Sequence, residues 1–431
     1  MKDQNEKKNP GDEYSFVQET IKDQDKKQKG KKDITRMVIL GLVFGVVAST
    51  TFCVTKSWLD SSLKDQRAVV EIQKEESEND DGDSSENQGD SDTAETTDGQ
   101  EETQQKQEEL TVDSYRQLQT SLTEVGNEAS KSVVDILCME EGEDLTSQSY
   151  DAKNDTAGLI VADNGKELLI FGKTEVIKES RPIQVSFCDG SVAEASLKKQ
   201  DGSLGFGIYA VKQEAISDST WKHIQVANLG TTSGAVKGDA IIVLGNPFGY
   251  AGAMGFGTVS TNKNTVTKAD GVYRLICTDI GAATNGSGIM ANADGEVVGI
   301  IDQTVSDQSS MNLVTGYGIS DLKKIIEALS NGQSIPYIGI RGITVTEEIE
   351  AQGVPKGVYV QETLADAPAM EAGIRSGDVI TAVGDTEVDS IEAYRRALLK
   401  LSVGDKVKIS GKCKGTNGYV DVKFTVTVGE N

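Results

Sequence analysis

The sequence predicts a mostly β protein, with one or two β-barrels followed by a smaller second module. Three observations predict it. The chain has 431 residues, too many for one core, so at least two folded domains are expected. It contains 45 glycines but only 6 prolines, and aromatic residues make up 5%. That balance suits turn-rich β structure better than a helical bundle. Past about residue 110, short apolar or alternating runs recur between Gly, Asn and Asp turn signals.

Those runs give the elements in order. Ser114–Val134 reads as helical at first and then extended. Strands are expected at Gly158–Val161, Leu168–Phe171, Ile183–Phe187, Ile208–Val211, Ala240–Leu244, Gly257–Ser260, Val272–Thr278 and Glu296–Ile301. A helix follows, with Ser320 as its N-cap, Leu322, Ile325, Ile326 and Leu329 on one face, and Gly332 past its end. The second module carries strands near Gly357–Gln361, Val379–Val383 and Lys406–Lys412. Its helix runs from Ser390, the cap, to Leu401, with Ile391, Tyr394, Ala397 and Leu398 on one face.

Ahead of these lies a different kind of sequence. Met37–Val54 is an uncharged apolar run, roughly 27 Å long as a helix, near the thickness of a bilayer core. Lys29, Lys31, Lys32 and Arg36 precede it, which places residues 1–36 in the cytoplasm and everything after the run outside. A cleaved signal peptide, with Val46-Val47-Ala48 as its small-residue site, is the alternative. The long polar stretch ahead of the run favours an anchor. Residues 55–110 are rich in Asp, Glu, Ser, Thr and Gln. Such a segment buries too little apolar surface to offset its ordering entropy and reads as a disordered acidic linker. A calcium or partner site there is the alternative, but no EF-hand spacing is present. The formal net charge of −25 argues against nucleic acid as a partner. The five cysteines show no CxxC and no zinc spacing, so no metal or cofactor is expected.

Three stretches resemble the HtrA family (DegP- and DegS-like) of trypsin-like serine proteases with a C-terminal PDZ domain. The first is Leu229-Gly230, then Val236-Lys237-Gly238-Asp239, then Gly245-Asn246-Pro247-Phe248-Gly249. The second is Thr278-Asp279 leading to Asn285-Gly286-Ser287-Gly288 and Gly295-Glu296-Val297-Val298-Gly299-Ile300. The third, Gly373-Ile374-Arg375-Ser376-Gly377-Asp378-Val379-Ile380, is similar to the family's PDZ core. The resemblance spans roughly residues 110–428. It implies a trypsin-like double β-barrel over 111–332 and a PDZ domain over 335–429. Trimerisation is implied by analogy alone.

The chemistry implied is Ser as nucleophile, His as base, and Asp holding the imidazole. Ser287 is the candidate nucleophile, and Asn285 and Gly286 are the candidate oxyanion donors. The stretch matching the family's histidine segment, Gly158–Ile177, contains no His, and Gly205 stands where the Asp is expected. The nucleophile loop is one residue short, so the family's Ser falls on Ser287 or on Gly286, depending on the end aligned. The only histidine, His223, falls between the two barrels. Losing the His of a working triad costs on the order of 10⁶ in kcat, or about 8 kcal/mol. Lys173 is an alternative base for a Ser/Lys dyad. Asn-Gly-Ser-Gly also makes a good tight turn without catalysis. In the PDZ-like module, Tyr337-Ile338-Gly339-Ile340 matches the loop that captures a terminal carboxylate, and Ile391, Tyr394 and Leu398 would face the last side chain. Ile338 and Ile340 also read as plain strand core. The expectation is an anchored extracytoplasmic pseudoprotease that binds C-terminal or unfolded peptide segments. The alternative is an active endopeptidase in envelope quality control, using Ser287 with a non-standard base.

Overall fold

A period of two in side-chain direction organises the strands of the main body, sending alternate residues into different cores. The computed structural model describes residues 69–72, 111–138, 155–175, 182–306, 312–416 and 418–430. The apolar run 37–54 and the tail before it lie outside the described residues. Among the described residues, no helix is long and apolar enough to cross a membrane.

Strands β1 (Val133–Cys138), β2 (Asp155–Asp163), β3 (Glu167–Lys173), β4 (Ile183–Ser186), β5 (Val192–Asp201) and β6 (Phe206–Lys212) close into one antiparallel barrel, ordered β1-β2-β3-β6-β5-β4. A second barrel is built from β7 (Ala240–Asn246), β8 (Ala253–Lys268), β9 (Gly271–Gly281), β10 (Ser287–Ala291), β11 (Val297–Asp302) and β12 (Leu313–Gly318), ordered β10-β11-β12-β9-β8-β7. Successive side chains on a strand point to opposite faces. One set fills each barrel: Ile136, Ile160, Ile170 and Tyr209 in the first, Ile241, Val243, Ile276 and Met290 in the second. The alternate set, including Leu159, Phe171, Ile208, Leu244, Ile289 and Ile300, forms one apolar layer between the barrels.

Two helices lean on that layer. The helix Val112–Ser130 is capped by Thr111, whose hydroxyl accepts from Ser114 N–H, and it turns Leu122, Val125 and Ala129 inward. The helix Ile319–Ser330 buries Leu322, Ile325, Ile326 and Leu329, as its spacing predicts. Its N-cap is Gly318 rather than Ser320. Ser320 instead exchanges hydrogen bonds with Thr232, accepting from Thr232 N–H (2.8 Å) and donating its N–H to Thr232 Oγ1 (3.0 Å). Part of the expected disordered linker is also ordered. Val70 is buried against the interbarrel layer, and its N–H and C=O both bond the Asn331 amide, at 3.0 and 2.9 Å. Val70, with the partly buried Ile72 beside it, supplies the burial that pins this otherwise polar stretch, while Val69 is exposed.

The last module has its own core. Strands β13 (Pro336–Tyr337), β14 (Ile340–Thr344), β15 (Val358–Thr363), β16 (Val379–Val383), β17 (Thr386–Glu387), β18 (Lys406–Gly415), β19 (Gly418–Thr427) and β20 (Gly429–Glu430) form a sheet ordered β14-β15-β16-β18-β19, with β17 beside β16 and a separate β13-β20 pair. The helix Ile391–Leu398 packs on it; Ser390 accepts from Ala393 N–H as the cap, and the helix ends before the expected Leu401.

Candidate active-site cleft and peptide groove

The same period of two brings one set of polar residues together. Ser287 shares its face with Ile289, Asn246 with Leu244, Lys173 with Phe171, Asp302 with Ile300, and Asp155 with Ala157 and Leu159. All these apolar partners belong to the interbarrel layer. The polar residues therefore cluster at one end of that layer, in the cleft between the barrels.

Ser287 is a strand residue, where a tight turn was the alternative expectation. It pairs with Asn246 on β7 and with Asp302 on β11, and only 2% of it is exposed. Its Oγ accepts from the Ala157 N–H of the other barrel at 3.0 Å. The hydroxyl thus clasps the two barrels. The turn lies just before, where Gly286 N–H donates to Ala283 C=O at 2.9 Å. That N–H is consumed within the turn and does not converge on a point beside Ser287, as an oxyanion hole requires. An added Cβ at Gly286 would lie 2.7 Å from the Pro247 carbonyl oxygen, so that position does not accommodate a serine either. Asn285 is exposed.

Lys173 lies in the cleft, but its ammonium is committed. It pairs with Asp302 at 2.7 Å, with 11% and 2% of the two side chains exposed, and more loosely with Glu175 at 3.8 Å. Asp302 also accepts from the Thr304 N–H and hydroxyl. His223 is on the surface; its Nδ1 meets Ser219 C=O at 2.8 Å, and its own carbonyl accepts from the exposed Cys188 thiol. Gly205 sits in the turn before β6, donating its N–H to Asp201 C=O. No group of His, Cys, Asp and Glu that could hold a metal is present among the described residues.

Sequence reading overlooked a carboxylate pair in this cleft. In the β1–β2 register, Asp135 faces Ala157 and Leu137 faces Asp155, so the two acids are diagonal neighbours on one face. Burial, and then the charge of Asp155, push Asp135 up to about 6. Burial also raises Asp155, opposed by the Asn246 amide, which donates to it at 3.3 Å. An acid whose pKa is raised on folding binds its proton more tightly in the native state. Its contribution therefore becomes less favourable as pH rises from about 4 through about 6. Asp135→Asn should stabilise the protein by on the order of 1–2 kcal/mol at pH 7 and change little at pH 4. Thermal melts at both pH values check this; equal shifts at both would contradict it.

In the last module, the loop expected to take a terminal carboxylate is bonded to a side-chain carboxylate of the chain itself. Ile338 and Gly339 N–H both donate to Asp270 Oδ2 at 2.8 Å, and Ile340 N–H to Asp270 Oδ1 at 3.2 Å. The Tyr394 hydroxyl adds a bond to Oδ1 at 2.7 Å. Tyr337 takes no part in this through its N–H; it pairs with Gly429 instead. Ile338, Ile340, Ile391, Tyr394 and Leu398 all belong to the module's buried core. Asp270 comes from the two-residue turn between β8 and β9, where Lys268 pairs with Gly271. Nothing in Ala269-Asp270-Gly271 distinguishes it from an ordinary hairpin turn, which is why the sequence gives no sign of this role.

Comparison with known proteins agrees with this architecture. Residues 156–300 match the family model described as a trypsin-like peptidase domain, and residues 336–424 match the PDZ domain model. The chain is 27% identical over 290 residues to the serine protease Do-like HtrB of Bacillus subtilis, covering 62% of each protein. It is 26% identical over 322 residues to the serine protease Do-like HtrA of Lactococcus lactis subsp. lactis, covering 69% of this chain and 77% of that one. The chain thus spans about three fifths of the length of the Bacillus subtilis relative. Among solved structures, the HtrA-type protease AlgW with decapeptide superposes with a TM-score of 0.50 at 20% identity, over 72% of this chain and 98% of that one. At that identity the likeness concerns the fold.

Proposed function

Since this chain belongs to the HtrA-type trypsin-like peptidases that carry a PDZ domain, we propose that it is a non-proteolytic member working by binding. It is held at the membrane by residues 37–54, with the barrels and the PDZ domain outside. There the PDZ loop takes the carboxyl ends of exported or misfolded chains. The observation that carries this reading is the commitment of Ser287, Lys173, Gly286 and His223 to structural bonds. Ser287 Oγ accepts from Ala157 N–H, Lys173 is ion-paired with Asp302, Gly286 N–H is spent on Ala283, and His223 is hydrogen-bonded on the surface. A serine nucleophile needs a base within hydrogen-bond reach to take its proton.

The test is incubation of the purified chain with unfolded casein, alongside a fluorophosphonate probe. The expected result is no cleavage and no labelling. Casein cleavage that disappears in Ser287→Ala would sink the reading. It would support the second one, an active endopeptidase with a non-standard base. That rival is kept alive by one feature: Asp302 is at once the strand partner of Ser287 and the ion-pair partner of Lys173.

A further inference from the structure

We propose that Asp270 is an internal ligand of the PDZ carboxylate loop, and that a chain end binds this domain only by displacing it. The inference rests on the reading above, in which the PDZ domain takes polypeptide carboxyl ends.

The geometry copies such an end at each point of recognition. A terminal carboxylate is held by the backbone N–H groups of the loop. Here Ile338, Gly339 and Ile340 direct theirs at the two oxygens of Asp270. A bound peptide also extends the sheet by hydrogen-bonding along a free strand edge. β14 is the edge strand on that side, and Asp270 N–H donates to Ile340 C=O at 2.7 Å, supplying the first rung of such a ladder. The last side chain of a peptide would enter the apolar groove. Val272, two residues beyond Asp270, packs against the cluster containing Ile391, Tyr394 and Leu398.

The position is costly for a mere packing contact. Asp270 adopts φ 55°, a left-handed turn conformation that aspartate accepts more readily than most side chains, so the cost lies in the burial of its charge. Its carboxylate is buried, and among the described residues no lysine or arginine forms an ion pair with it. An apolar residue would fill the same space without that desolvation. What an apolar residue would lack is the capacity to satisfy the convergent N–H groups. A second tie steadies the hairpin: Arg395 of the PDZ helix lies over the Tyr273 ring at 4.0 Å and donates to Asp321 C=O at 2.8 Å. The ligand class that competes with Asp270 is therefore a peptide or protein with a free α-carboxylate and an apolar last residue.

Two variants test this in the full chain. Asp270→Gly keeps a residue at ease with positive φ, so the hairpin turn is preserved. Asp270→Asn keeps the side chain's size without the charge, and guards against a folding defect in the first. Hydrogen exchange reads loop occupancy directly. The amides of Ile338, Gly339 and Ile340 should exchange slowly in the parent and about tenfold or more faster in Asp270→Gly. Binding is read with fluorescent hexapeptides ending in free Val, Leu, Ile or Phe, and with their C-terminal amides as controls. A site open only part of the time binds more weakly by the open fraction, so the free-acid peptides should bind Asp270→Gly about tenfold or more tighter than the parent. The amides should bind neither. Equal exchange in parent and variants would overturn the proposal. So would faster exchange in the variants with unchanged peptide affinity, because Asp270 would then fill the loop without competing. Faster exchange with no peptide binding to either protein would support Asp270 as the loop's occupant and overturn the reading that the domain takes chain ends.

Discussion

Replacing Lys173 by methionine should destabilise the barrels by about 3–5 kcal/mol, the cost of leaving a buried carboxylate without its partner. The partner is Asp302, 2% exposed and 2.7 Å from the ammonium. Thr304 donates two bonds to the same carboxylate, and these do not replace a positive charge. The double variant Lys173→Met, Asp302→Leu removes both charges and should regain more than half of the loss, since an apolar pair is often no worse than a buried ion pair. Denaturant unfolding of the three proteins measures both effects. A single-variant loss below about 1 kcal/mol would mean that the pair is as weakly coupled as an exposed one. Because neither variant touches a working base in the proposed reading, casein should remain uncut in all of them.

Gly288→Ala should have an effect at least as large. Gly288 follows Ser287 in β10 with φ 140°, and an added Cβ would meet the Leu244 carbonyl oxygen at 2.0 Å. The obstacle is backbone of the neighbouring strand, which cannot swing aside as a side chain could. Relief would require pulling β10 from β7 across the Gly288–Gly245 pair. Strain of this kind belongs to the short list of changes that exceed about 4 kcal/mol. The variant should accumulate poorly, and any folded fraction should melt far below the parent by circular dichroism. A melting temperature within a few degrees of the parent would contradict this account. The loop that resembles a nucleophile turn is in this sense an architectural fixture, whatever its chemistry.

Sequence reasoning reached most of the barrel framework because strands buried on both faces keep short, continuous apolar runs. Ile208–Val211 and Ala240–Leu244 fall within observed strands for that reason. It passed over β5 and β12, where small, polar or glycine residues dilute the apolar signal, as in Val192–Asp201, and over β19, although Val420, Val422, Phe424 and Val426 alternate there without a break. β10 was hidden differently. Asn285-Gly286-Ser287-Gly288 has turn composition, but only its first half turns; Ser287 and Gly288 are drawn into the sheet by β7 and β11. In the cleft, the absence of a first-barrel histidine was legible from residue counting alone. The commitments of Lys173 to Asp302 and of Ser287 to Ala157 were not, because they join residues more than 120 positions apart. The PDZ domain was legible from its motifs. Its bonding to Asp270 was not, since a turn aspartate carries no mark of what it will face.

The separate cores of the barrels and the PDZ domain carry one more consequence. The two barrels share a single apolar layer, so neither can lose its packing without exposing the other, and they form one cooperative unit. The PDZ domain buries its own cluster, to which the barrels contribute Val272 at its margin. Its melting is therefore free to proceed on its own terms, coupled to the barrels through the hairpin tip, the Arg395 contacts and the Lys199–Glu430 ion pair at 2.6 Å. A handful of polar contacts thus sets how far two folding units of unequal size behave as one.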